Sequence, residues 1–125
     1  MDINNLPQPK TLFVEATVNI YYTAKNDQPF RDFLKEGATH FCHQVISSNQ
    51  QKISYKTLFE SDLNINSEVE KLKERLQKTD KNKQFGLTIY NVEIIPNEAT
   101  LQSYSECSLA VARKIYAFEQ GDNDE

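Results

Sequence analysis

The sequence predicts an α+β fold, a small sheet built on two long strands with three or four helices packed on one face. Three observations predict it. Residues 11–24 alternate strictly, residues 85–95 form a second β-rich run, and the segments between and after them carry apolar residues at helical spacing. The 125 residues fit one domain. Hydrophobic residues make up 38% and charged ones 26%, a mix that suits a globule and not a disordered chain. Residues 1–10 read as a polar N-terminal arm, 11–119 as a single α+β domain and 120–125 as an acidic disordered tail.

In the first strand Leu12, Val14, Ala16, Val18, Ile20 and Tyr22 share one face, and Phe13, Glu15, Thr17, Asn19 and Tyr21 share the other. One dry face and one largely polar face describe a strand in a sheet covered on one side. Pro29 suits the first turn of a helix. Phe30, Phe33, Leu34, Phe41 and Val45 then recur at helical spacing, with Gly37 as a point where this stretch divides into two helices. Residues 52–61 are ambiguous, because Ile53, Tyr55, Thr57 and Phe59 alternate while Leu58 and Phe59 also suit a helical turn.

Ser67 and Glu70 have capping-box spacing, and Val69, Leu72 and Leu76 make an apolar stripe behind them. Lys78, Lys81 and Lys83 load the C-terminal end of that helix with positive charge, which suits its dipole. In the second strand Thr88, Ile89, Tyr90, Val92, Ile94 and Ile95 have high β-propensity. Pro96 and Asn97 are expected to end it and to open a final helix. On that helix Leu101, Tyr104, Ser108, Val111, Ile115 and Phe118 fall at steps of three and four, too few for a coiled coil.

Charge and motif content narrow the function classes. The net charge of -4 speaks against nucleic acid, whose binding domains carry a basic excess. The basic stretch Lys71 to Lys83 is interleaved with Glu70, Glu74 and Asp80 and lacks aromatic residues for base stacking, so it reads as a solvated helix face. No apolar run reaches the length of a membrane span, and the polar N-terminus has no signal-peptide order. Cys42 and Cys107 make no disulfide framework, which fits a cytoplasmic, reducing compartment.

Candidate chemistry is sparse. His40, Cys42 and His43 cluster in sequence, and on a helix the two histidines would share a face with Cys42 pointing elsewhere. Zinc needs three or four converging ligands, and only Cys107 is left to add, so no metal site is expected. A Cys–His nucleophile pair lacks an orienting third group. Glu15 and Glu93 lie in the two best strands, where a solvated sheet face explains them better than an acid/base pair. With three glycines, Gly37, Gly86 and Gly121, no phosphate-cradling loop can be built. The expectation is a protein that is not an enzyme, with no catalytic residues and no cofactor.

The segments TVNIYYTAKNDQPF, ISYKTLFES, VEKLKERLQ and FGLTIYNVEIIPNEATLQS, with the helix after them, resemble in order the latter part of an SPFH domain. This is the band-seven family of stomatins, prohibitins and flotillins. Phe85-Gly86-Leu87 and the run Val92 to Pro96 are the closest local matches. The pattern spans roughly Leu12 to Phe118, without the family's upstream strands, membrane anchor or long coiled coil. The resemblance implies an oligomerising scaffold that holds partner proteins, with membrane association only through a partner. It also implies a helical turn at 52–61. A self-association face of Leu101, Tyr104, Val111, Ile115 and Phe118 agrees with that role. The alternative is a monomeric acidic binding module, an adaptor or inhibitor of a partner protein.

Overall fold

The structure is a computed structural model that describes residues 12–78, 84–103 and 107–120, with the backbone alone over 98–103. Four strands and three helices follow in the order β1 (Leu12–Thr23), α1 (Gln28–Lys35), β2 (Thr39–Val45), β3 (Gln51–Glu60), α2 (Ile65–Gln77), β4 (Thr88–Ser103) and α3 (Leu109–Gln120). The strands form one sheet in the order β2-β3-β1-β4, every neighbouring pair antiparallel. Up to β4 this is the split β-α-β, or ferredoxin-like, connection pattern, with α3 appended. Such a framework hosts unrelated activities and says nothing by itself about function.

The alternation in β1 works as expected. Val14, Ala16, Val18, Ile20 and Tyr22 enter the main core with Phe30 and Leu34 of α1, Leu72 and Leu76 of α2, and Ile89, Val92 and Ile94 of β4. The opposite face carries a polar lattice. Ser54 Oγ donates to Asn19 Oδ1, and the Asn19 amide and the Tyr21 hydroxyl both donate to Glu93 Oε1. Asn64 caps α2, its Oδ1 accepting the Ser67 N–H at 3.1 Å, so the helix starts ahead of the expected capping box at Ser67 and Glu70. Lys81, Lys83, Tyr104, the N-terminal arm and residues 121–125 of the tail lie outside the described residues.

Three expectations are corrected. Residues 39–45 are a strand and not a second helix. Gly37, at φ +69°, takes the left-handed position after α1 and turns the chain into the sheet. Residues 51–60 are a strand, paired with β1 along its whole length and with β2 from Gln51 to Lys56, so the helical turn implied by the resemblance is not what stands there. The strand β4 passes through Pro96, which pairs opposite Ala16, and continues beyond a register shift to Ser103. β4 is an edge strand, where a proline leaves no ladder partner unsatisfied. The last helix therefore starts at Leu109, and the sheet has four strands, β2 and β3 joining β1 and β4, where one built on two long strands was expected.

Candidate functional site

A concavity arises because β2 is shorter than β3. Pairing between them begins at Thr39 opposite Lys56, so residues 57–60 of β3 have β1 on one side and no strand on the other. An uncovered edge invites unwanted pairing, and here α3 covers it. Ala112 and Tyr116 pack on Phe13 and Leu58 beneath the sheet. Arg113 reaches round the edge, where its Nε donates to the Leu58 carbonyl at 2.8 Å and its guanidinium lies 4.8 Å from the centre of the Phe59 ring. Gly37 permits this approach, since a Cβ there would meet Arg113 Cβ at 3.1 Å.

Above that edge lies a groove of about 300 Å³. Its floor is Tyr55, Thr57 and Phe59 of β3. One wall is the end of α1 with Phe33, Leu34, Glu36 and Gly37, another is Leu72, Arg75 and Leu76 of α2, and the third is Ala110, Arg113 and Lys114 of α3. Thr57 is engaged, its hydroxyl donating to the Gly37 carbonyl at 2.7 Å. Tyr55 is 6% exposed, its ring stacked on Phe41, and no described residue hydrogen-bonds its hydroxyl. Burial pushes the Tyr55 phenol up to about 12 against the pull of Arg113 and Arg75, so it is a proton donor at neutral pH. Desolvation pulls Arg113 below its usual range; Tyr55 opposes that pull, the like charge of Arg75 adds to it, and Glu68 offsets it in part.

A second polar cluster joins the start of α1 to the sheet. The Tyr22 hydroxyl donates to Asp27 Oδ2 at 2.7 Å, and His43 Nε2 lies 3.3 Å from the same oxygen and 2.6 Å from Gln51 Oε1. Arg31 Nε is 3.2 Å from Asp27 Oδ2 without the alignment of a hydrogen bond. A third runs from the bulge in β2, where His40 holds φ +55°. His40 Nδ1 is 2.9 Å from Thr39 Oγ1, which is 3.4 Å from the Tyr116 hydroxyl, and that hydroxyl donates to Glu15 Oε2 at 2.5 Å.

The residues singled out in the sequence therefore scatter. His43 points to Asp27 and His40 to Thr39, while Cys42 is exposed opposite Ser54 and Cys107 precedes α3. Glu93 pairs opposite Asn19 and Glu15 opposite Asn97, so the two carboxylates are not cross-strand partners. Among the described residues no three His, Cys, Asp or Glu side chains group to hold a metal, and no helix is long and apolar enough to cross a membrane. On α3, Val111 and Phe118 are 46% and 66% exposed and Ile115 is half-buried; Leu101 lies in β4 and not on this helix. Sequence reasoning missed Tyr55, Arg75 and Arg113. The available signal was an arginine and a tyrosine set among apolar residues in otherwise core-facing elements.

No family model matches this chain, and no curated protein and no solved structure matches it either.

Proposed function

We propose that this protein is a non-enzymatic domain that works by docking against protein, in the first instance a second copy of itself. One observation carries the reading. The flank of α3 that faces Phe13 and Leu58 is buried, yet Val111, Ile115 and Phe118 recur on another flank at steps of four and three and leave two large apolar side chains largely open to water. A contiguous exposed apolar stripe on a helix marks a contact surface more often than an accident of composition. Two such stripes packed about a twofold axis would bury each other, the usual way a homodimer forms.

The dispersal of His40, Cys42 and His43 into separate contacts supports a non-catalytic role for them. An oligomerising scaffold of the SPFH kind is one form of this proposal, with membranes reached only through a partner and the cytoplasm as its compartment. The stripe supports it independently of that resemblance. Light scattering on the purified chain tests it. The expected result is an oligomer at high micromolar concentration that dissociates in the Val111→Ser, Phe118→Ser double variant, with an unchanged thermal midpoint. A wild-type chain that stays monomeric would remove self-association and leave the small acidic binding module, for which the net charge of -4 speaks.

A further inference from the structure

The outer edge of β4 offers backbone groups to a further strand. Pro96 is the register partner of Ala16. A residue without an N–H can hold that place only in a non-hydrogen-bonded pair, its own polar groups turned away from β1. Alternation along the uninterrupted register then directs the N–H and C=O of Glu93 and Ile95 to β1. Those of Val92 and Ile94 point outward, with the Pro96 carbonyl. β4 is the last strand of the sheet, and among the described residues nothing pairs with these outward groups. Unpaired backbone along an edge is a template for strand addition. The usable rim runs from Asn91 to Pro96, between the register shift and the proline.

The rim is set in a groove of about 430 Å³ between β4 and the start of α2. Ile65 and Val69 form its apolar wall beside Val92 and Ile94, whose side chains belong to the core. Its charged lining is Glu70 and Glu93, both exposed, with no lysine or arginine. Glu93 receives only neutral donors, the Asn19 amide and the Tyr21 hydroxyl, and Glu70 has no partner among the described residues. The N-terminus of α2 opposes them with about half a positive charge, less than either carboxylate carries, so the groove stays negative. We infer that this edge captures an extended segment of a partner protein in which lysine or arginine alternates with apolar residues. Its apolar side chains lie on Ile65 and Val69, and alternation puts its cations on the face of Glu93. A second copy is the poorer occupant, because two β4 edges joined about a twofold axis gather both pairs of carboxylates into one interface. The site shares no residue with the α3 stripe.

The probe is a short capped peptide of alternating lysine and valine, followed in amide correlation and hydrogen-exchange spectra of the full chain. In the free chain the Val92 and Ile94 amides should exchange at least about tenfold faster than those of Glu93 and Ile95. The peptide should shift and protect them with a dissociation constant on the order of 100 µM. The same peptide N-methylated at its valines, whose N–H groups face β4, and a peptide of alternating glutamate and valine should each bind at least about tenfold more weakly. Glu70→Gln with Glu93→Gln should weaken the lysine peptide by about fivefold with no change in thermal midpoint. Absence of shifts at Val92 to Ile94 up to about 1 mM peptide overturns the inference. So does equal binding of the glutamate peptide, binding that survives N-methylation, or unchanged binding in the double variant. Val92 and Ile94 amides already protected in the free chain overturn it too, and their release on dilution would identify a second copy as the occupant. Light scattering on the Val111→Ser, Phe118→Ser variant reads the α3 stripe alone, so failure here and failure of self-association there are told apart.

Discussion

Removing the hydroxyl of Tyr116 tests how α3 is held to the sheet. Tyr116 is fully buried, and its hydroxyl donates to Glu15 Oε2 at 2.5 Å and lies 3.4 Å from Thr39 Oγ1. Tyr116→Phe keeps the ring on Phe13 and Leu58, so no cavity opens and the loss is that of the polar contacts. A hydrogen bond to a charged group contributes about 1.5–3 kcal/mol. Glu15 is only half-buried, so the lower part of that range is expected, about 1.5 kcal/mol against a typical total near 5–15. Urea unfolding with an unchanged slope measures it. Glu15→Gln and the double variant complete a cycle, for which a coupling of at least about 1 kcal/mol is expected. If the two substitutions add within about 0.5 kcal/mol, the Tyr116–Glu15 contact does not hold α3, and packing by Ala112 and the ring alone does.

Gly37→Ala is expected to destabilise by about 1–2 kcal/mol from the left-handed φ alone, and further through the 3.1 Å approach to Arg113 Cβ, read as a lower urea midpoint. Asp27→Ala strips the acceptor shared by Tyr22, Arg31 and His43 and should cost about 2 kcal/mol, with raised hydrogen exchange at the start of α1; exchange confined to the termini would contradict it. At alkaline pH the sign follows from the phenols. Tyr55 holds its proton up to about 12 in the fold and to the ordinary value of about 10 when unfolded. Its contribution is therefore whole below pH about 10 and declines as pH rises toward 12. Tyr22 is displaced in the same direction by burial and by Asp27. Thermal midpoints should fall through that window, less steeply in Tyr55→Phe, and parallel curves would refute the assignment.

How much was legible depends on whether one signal or several competed at a position. The β1 alternation was unambiguous because both of its neighbours leave one face dry, and Pro29 and the Leu72–Leu76 stripe located α1 and α2 by local chemistry. β2 was misread because its residues are half-exposed at an edge, so Phe41 and Val45 at a step of four imitate a helix while only Thr39 is buried. Pro96 was misread because its meaning depends on whether the strand is central or at an edge, which is set by sheet order and not by neighbours in sequence. The groove was illegible for the same reason. Tyr55, Arg75 and Arg113 are brought together by three elements, and none of their spacings carries a local signature.

Arg113 ties these features to one cause, the shortfall of β2 against β3. Its Nε satisfies a carbonyl that a longer β2 would have paired, its guanidinium lies over the Phe59 ring, and it lines the groove. Arg113→Lys separates shape from charge, since an ammonium keeps the charge but cannot both reach the Leu58 carbonyl and lie flat on the ring. The expected loss is about 1–2 kcal/mol in urea, with faster amide exchange along α3. Lys114→Gln, at an exposed position of the same helix, should stay within about 0.5 kcal/mol of wild type. If Arg113→Lys matches wild type in both measurements, the β3 edge is protected by the bulk of α3 alone.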